Sequence, residues 1–363
     1  MARRRARRNR VLPWHWAVMG ALAVCCVLLL VTQPGGIWQE KGDSAAALDL
    51  MPSGETSPLP LLASRDGQSA LRENVKVDIG IYDHKNGEVT QMDLEDYVLC
   101  VIAGEMPLSS DIEALKAQAV AARSYIAYQM RALGGSGCSQ HPDADVCTQS
   151  NHCMAYRSIQ TLKDSWGSSY EDNYMKLKAA VDQTRGLIMV YQGEPIHALF
   201  HAVSGGMTED VQSVFSMDLS YLKAVDSPGE EGANRYFTQI PYTYKELAQA
   251  LNKAFPEAKL SADKLKSQIA IISRSESGRI EEIKLGAVKT TGTKLRAALG
   301  LNSTNVTFDF AKGAVVLSVT GFGHGVGLSQ AGAQAMAQSG SSYEAILLHY
   351  YQGVQLTPIA ALL

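Results

Sequence analysis

Charge is scarce in this chain: Asp, Glu, Lys and Arg together make up only 19% of its 363 residues. What charge there is lies unevenly. Residues 1–10 contain six arginines and no acid, and the remainder carries 27 basic against 36 acidic residues. A body that acidic lacks the basic face that sequence-independent nucleic-acid binding requires. Beyond residue 75 there is no internal repeat and no low-complexity tract. There is no His-Glu-x-x-His helix signature and no Cys-x-x-Cys pair, so two familiar zinc patterns are missing. The dinucleotide fingerprint is absent too, because no glycine-rich strand–turn–helix unit with a downstream acid occurs. What the chain does have is 46% hydrophobic residues and a length sufficient to bury a sizeable core.

The amino terminus sets an expectation for the compartment. After the arginine cluster of residues 1–10, Val11 to Thr32 runs without a charge, interrupted only by His15. At 1.5 Å per residue that stretch spans roughly 33 Å, enough to cross a bilayer. Positive charge ahead of it places the amino terminus in the cytoplasm and the rest outside. The rival reading is a cleaved signal peptide. The only small-residue cleavage candidate, Ala45-Ala46-Ala47, lies too far past the apolar run for that. Residues 33–74 read as a Pro-, Ser- and Gly-containing linker. The expected organisation is thus a basic cytoplasmic tail (1–10), a single-pass transmembrane helix (11–32), a linker (33–74) and one extracytoplasmic domain (75–363).

Within 75–363, periodicity predicts a strand over 75–82 and a helix capped by Asp93 that must stop before Pro107. Ser110 and Glu113 have the spacing of a capping box for a second helix running to about Leu133. A helix is predicted over 171–184, and strands over 187–191 and 196–203. Further on come a helix near 245–255, strands near 268–274 and 279–285, and a short helix at 294–299. Strands at 306–310 and 315–319 follow, then closing helices at about 328–338 and 343–350. Helices and strands mix without regular alternation, which predicts an α+β class rather than a doubly wound sheet.

Four places could carry chemistry. Glu105 falls at a helix carboxyl end among Val101, Ile102 and Met106. The dipole and an apolar setting would both raise its pKa toward that of a general acid, while the bland alternative is a surface glutamate before a turn. Lys116 and Arg123 are seven apart and share a helix face, either as a functional pair or as solvated charges. Gly321 to Gln330 holds four glycines in seven residues around His324, suiting either close backbone approach to a ligand or a structural turn. Ser204-Gly205-Gly206 is a weaker version of the same signal. Cys138, His141, Cys147, His152 and Cys153 fall within 16 residues. Outside the cytoplasm a disulfide is the default, but an odd number of cysteines interleaved with histidines suits tetrahedral zinc. A third reading pairs Cys100 with one of the loop cysteines.

Taken together, several stretches resemble the stage II sporulation protein D family. They are Asp96-Tyr97-Val98 to Gly104-Glu105-Met106-Pro107, Glu113 to Tyr125, Ser204-Gly205-Gly206, Tyr221 to Val225, and Gly321 to Ala333. The motifs run in the family's order over most of the external part. The resemblance implies a peptidoglycan lytic transglycosylase of spore formation, acting on glycan strands stripped of stem peptides. It would work during engulfment beside stage II sporulation proteins P (an amidase and endopeptidase) and M (a membrane scaffold). It implies Glu105 as catalytic acid, supported by Lys116 and Arg123. The glycine-rich segments, with Ser204, Gly205, Gly206, His324 and Gln330, would wall the glycan groove. A zinc pattern of one His and two Cys known in some members matches His141, Cys147 and Cys153, with Cys138 and His152 additional, and that zinc is expected to be structural. The wider family includes proteins described as amidase enhancers, so a non-catalytic, glycan-binding activator is the competing expectation. A zinc hydrolase built on the cysteine cluster is a third.

Overall fold

The computed structural model describes residues 76–363, so the basic tail, the apolar span and the linker lie outside the described residues. Among those described, no helix is long and apolar enough to cross a membrane. The chain mixes short sheets with helices, as the irregular alternation predicts.

An antiparallel hairpin, β1 (Asp78–Asp83) and β2 (Glu88–Asp93), opens the fold. The two-residue β3 (Val146–Cys147) joins β1 in parallel. Helix α1 (Leu94–Glu105) starts where predicted, with the Asp93 carboxylate accepting from Glu95 N. It ends at Met106, whose extended backbone precedes Pro107 as proline sterics require. Helix α2 (Ile112–Gln129) begins one residue later than the capping-box reading placed it. Asp111, not Ser110, caps it by accepting from Glu113 N. That leaves the Glu113 carboxylate available elsewhere.

Of the 18 residues of α2, 13 are buried, so it is a core helix rather than an amphipathic one. Its alanines (Ala114, Ala117, Ala119, Ala121, Ala122) are small enough to let neighbours approach from every side. Around it pack α1, α4 (Tyr170–Gln183, following the short α3, Ile159–Trp166) and β4 (Leu187–Tyr191). Strand β4 makes a tight hairpin with β5 (Glu194–Pro195). The strand predicted over 196–203 forms only at β6 (Phe200–His201), and β7 (Gly206–Met207), α5 (Val211–Phe215) and β8 (Asp226–Ser227) complete this stretch.

The expected single domain contains two large hydrophobic cores, beside a small buried cluster of Cys138, Ala144 and Cys147. The second belongs to one continuous stretch of chain. It starts with β9 (Phe237–Tyr242) and α6 (Tyr244–Ala254), the latter closed by a Thr243–Glu246 capping box. Then come α7 (Leu265–Gln268), β10 (Ile269–Arg274), β11 (Ile280–Leu285), β12 (Val288–Thr291), α8 (Gly292–Leu299), β13 (Asn305–Ala311) and β14 (Ala314–Thr320). Its two antiparallel sheets, β10–β11–β12 and β13–β14–β9, enclose Leu247, Leu251, Ile283, Leu285, Leu295 and Leu317. The stretch enters and leaves at one seam: Phe237 is opposite Thr320, and Gly321 N donates to Tyr236 O. The chain then returns to the first core through β15 (Leu328–Ser329), parallel to β6, and through α9 (Gln330–Gln338) and α10 (Tyr343–Tyr350). The last strand, β16 (Gln355–Pro358), pairs with β4.

Candidate functional site

Glu105 is the last residue of α1. A side chain at Gly104 would meet Ala155 O at 2.9 Å, so glycine there lets residues 154–156 lie against the helix end. That contact delivers Ala155 N–H to Glu105 Oε1 at 2.6 Å. Gln330 Nε2, from the first turn of α9, donates to Glu105 Oε2 and to Gln118 Oε1, each at 3.3 Å. Burial pushes the Glu105 pKa up, and these two donors offset only part of the rise. The result is a carboxyl biased toward its protonated form, held by donors on both oxygens.

Glu105 and Gln330 line a cavity of about 930 Å³, together with Tyr125, Tyr128, His197, His201, Phe215, Arg296, Phe322 and His324. Glu105 is its only lining carboxyl among the described residues. Burial lowers the pKa of both His197 and His324 to about 4, so both imidazoles are neutral at neutral pH. His324 Nδ1 accepts from Val326 N, which leaves the ring proton on Nε2.

The glycine loop closes on protein rather than lying open. A Cβ at Gly323 would sit 2.7 Å from His201 Cβ, and one at Gly327 2.0 Å from Leu199 O, and both residues have positive φ. The loop is thereby pressed onto β6, and His324 is carried into the cavity wall.

Other residues singled out from the sequence lie elsewhere. Neither Lys116 nor Arg123 lines the cavity. Lys116 Nζ pairs with Glu113 Oε1 at 2.6 Å, while Glu113 Oε2 accepts from Tyr343 N, tying α2 to α10. Arg123 is fully buried in a two-pronged ion pair with Glu95. Ser204, Gly205 and Gly206 do not line the cavity either. Ser204 Oγ (2.8 and 2.9 Å) and Gly205 N (2.8 Å) donate to the buried Glu230 carboxylate. Ser227 Oγ and Ser329 Oγ donate to the same group.

Sequence reasoning missed Glu230, whose four donors come from three separate places in the chain. Ser329 caps α9, so Glu230 fixes the helix that presents Gln330. A Glu230→Gln change leaves one oxygen for donors that now share two. It is expected to destabilise the fold by about 2 kcal/mol, read as a lower urea midpoint at unchanged slope. An unshifted midpoint would refute the anchoring role.

The cysteine loop condenses into a compact cluster. Cys138, Cys147, His152 and Cys153 bring one ligand atom each to within 4.8 Å of one another. His152 Nδ1 lies 3.6 Å from Cys138 Sγ and 3.4 Å from both other sulfurs, and Cys147 Sγ lies 3.6 Å from Cys153 Sγ. Four ligands at ordinary zinc distances form a tetrahedron with edges of about 3.5–3.8 Å, so these residues fit zinc. The four described cysteines are free thiols, and Cys100 is buried apart from the cluster. The non-coordinating His152 Nε2 faces Ser139 Oγ at 2.9 Å, the outer partner a ligating imidazole needs. His141 is not part of the cluster: its ring stacks on Tyr82 at 3.5 Å. The family pattern points to His141, whereas the fold brings His152 to the sulfurs. Cys138, His152 and Cys153 also border the cavity holding Glu105.

Comparison with known proteins agrees with these motifs. Residues 82–191 match the family model described as Stage II sporulation protein. Stage II sporulation protein D of Bacillus amyloliquefaciens is 31% identical over 336 residues, covering 93% of this chain and 94% of that one. The protein of the same name from Bacillus subtilis (strain 168) is 30% identical over 344 residues, covering 94% and 96%. The Bacillus subtilis protein named Amidase enhancer is 27% identical over 304 residues, 71% of this chain but 40% of that protein. The motifs are those of a sporulation protein related to an amidase enhancer. The chain belongs to the stage II sporulation protein D family.

Proposed function

We propose that this protein is a lytic transglycosylase that cleaves peptidoglycan glycan strands to 1,6-anhydro-muramic ends. The observation that carries the reading is the single cavity carboxyl, Glu105, with a pKa raised by burial. Ordinary glycosidases use two carboxyl groups, one as acid and one as base or nucleophile. A transglycosylase manages with one because no water attacks. Glu105 gives its proton to the oxygen joining N-acetylmuramic acid to N-acetylglucosamine, and that bond breaks. The resulting carboxylate takes the proton from the muramic 6-hydroxyl as this oxygen bonds to the anomeric carbon. The proton returns to Glu105 and no co-reactant is consumed. Gln330 and Ala155 N–H hold the carboxyl in place. The sugar ring lies among Tyr128, His197 and Phe322.

Zinc belongs to the same reading as a structural staple on Cys138, Cys147, His152 and Cys153. Metal binding stabilises a loop that has little core of its own, and four protein ligands leave no position for a catalytic water. Protein purified without chelator is expected to carry one zinc per chain. His152→Asn and Cys147→Ser should lose it and melt several degrees lower, whereas His141→Asn should keep it. Zinc lost from the His141 variant but retained by the His152 variant would reverse the assignment.

The apolar stretch of residues 11–32 would anchor the enzyme with its folded part outside the cytoplasm. Stage II sporulation proteins P and M would be its partners during engulfment. The likeness to an amidase enhancer favours a second reading, a glycan-binding activator without turnover. Mass spectrometry of products from amidase-treated peptidoglycan decides between them. Anhydro ends are expected. Uncleaved strands alongside a stimulated partner amidase would establish the activator, and reducing ends would mean hydrolysis.

A further inference from the structure

Arg296 is the only lysine or arginine lining the Glu105 cavity among the described residues, and it reaches there from the second core, in the last turn of α8. Its Nε donates to Leu301 O at 3.1 Å, and no carboxylate pairs with the guanidinium among the described residues. The neighbouring cation, Arg279, is balanced in a way Arg296 is not. Arg279 donates to Ser204 O, Met207 O and Ser277 Oγ, with the charges of Glu209 and Glu230 acting on it. A half-buried, uncompensated guanidinium in a cavity is an anion site in waiting.

A second, independent feature lies in the same cavity. His201 is 4% exposed, and its Nδ1 faces Val326 O at 3.1 Å. A carbonyl only accepts, so the proton is on Nδ1 and Nε2 carries a lone pair. That buried Nε2 has no partner among the described residues. The charge of Arg296 acts on His201 and on His324 and helps keep both neutral. The cavity therefore offers an unpaired cation and an unpaired hydrogen-bond acceptor to one ligand.

We propose that Arg296 and His201 form a subsite that binds the free lactyl carboxylate of a muramic acid residue, with Arg296 taking the carboxylate and His201 Nε2 accepting from a sugar O–H or N–H. This rests on the glycan reading above and names the group that the site selects. A carboxylate and a guanidinium match in charge and in planar, two-pronged geometry. An attached stem peptide converts that carboxylate to a neutral amide and adds bulk, so the subsite separates stripped strands from substituted ones. Neutral His201 suits the role, since a charged imidazole would have no lone pair to offer.

The test measures binding to Glu105→Gln protein, which keeps the cavity but is not expected to turn substrate over. Two ligands are compared: peptide-free glycan strands, and the same strands with lactyl carboxyls converted to methylamides. The charged strand is expected to bind at least tenfold more tightly, and that preference should shrink as salt is raised. Adding Arg296→Gln should weaken the charged strand to the level of the neutral one and leave the neutral one unchanged. Arg296→Lys, which keeps the charge but not the fork, should retain part of the preference and guards against a folding artefact. Equal affinity for both strands in the Glu105→Gln protein, or an Arg296→Gln loss that is the same for both, would overturn the subsite. Binding of neither strand, together with no anhydro products from the unaltered enzyme, would overturn the glycan reading and the subsite with it.

Discussion

Glu105→Gln protein is expected to fold and to bind glycan, yet to release anhydro-muramic ends about a hundred- to ten-thousand-fold more slowly, the usual worth of general acid–base assistance. Glutamine keeps the shape, its one oxygen can still accept from Ala155 N–H, and the Gln330 amide can flip to accept from the new NH2, so stability should change little. What it removes is the transferable proton. The pH profile provides a second check. Burial raises the Glu105 pKa, and the acid role needs the protonated form. Turnover should therefore fall as pH rises through a midpoint above the ordinary carboxylate value of about 4.3. That alkaline limb should vanish in the residual rate of the glutamine variant. Glu113 provides the control: it is engaged by Lys116 and by Tyr343 N, so Glu113→Gln should lower stability and spare most turnover. Equal loss of turnover from Glu113→Gln, at unchanged stability, would point to a two-carboxyl hydrolase and refute the single-acid mechanism.

Arg123→Ala is expected to cost about 3–5 kcal/mol of stability, enough to leave much of the protein unfolded at physiological temperature. Arg123 Nε and Nη2 reach Glu95 Oε1 and Oε2 at 2.9 and 2.6 Å, while Nη1 donates to Leu187 O at 3.0 Å. Glu95 Oε1 also accepts from Gly186 N at 3.0 Å. One ion pair thereby joins α1, α2 and the start of β4. Removing the guanidinium strands the Glu95 carboxylate in the core, and a stranded buried charge costs far more than the pair contributes. Lysine cannot reproduce the two-pronged contact, so Arg123→Lys should recover only part of the loss. Changing both partners, Arg123→Met with Glu95→Leu, should recover more stability than either single change retains, and turnover should return with it. A stable Arg123→Ala protein with lost turnover would instead give Arg123 a role in the chemistry.

Arg123 also illustrates where a sequence can be read and where it cannot. A charged residue seven positions from Lys116 resembles a solvated helix face. It is core only because Glu95, 28 residues earlier, supplies the partner. Local signals succeeded where local physics decides: the Asp93 cap, the stop before Pro107 and the bounds of α10 and β4. They failed where a partner strand or a distant residue, not the segment's own pattern, decides. Strand β2 is mostly exposed and polar, with no apolar alternation, and forms because β1 lies beside it. Strand β9 contains Pro241, which reads against a strand, but β9 is an edge of its sheet and tolerates proline there. Glu105 was legible from its helix end and the cysteine loop from its composition. His201, Glu230 and Arg296 carry no local mark, because each acquires its setting from chain far away in sequence.

The seam at Tyr236 and Gly321 has an evolutionary consequence. The unit that leaves and rejoins the parent fold at one pair of adjacent strands is also laced to it sideways: Arg279 donates to Ser204 O and Met207 O, and Ser275 and Ser277 donate to Glu209. The matched family segment, residues 82–191, ends well before this unit begins. The unit lies outside that stretch, yet it cannot be lost freely, because it supplies Arg279 to the turn after β6 and Arg296 to the cavity wall.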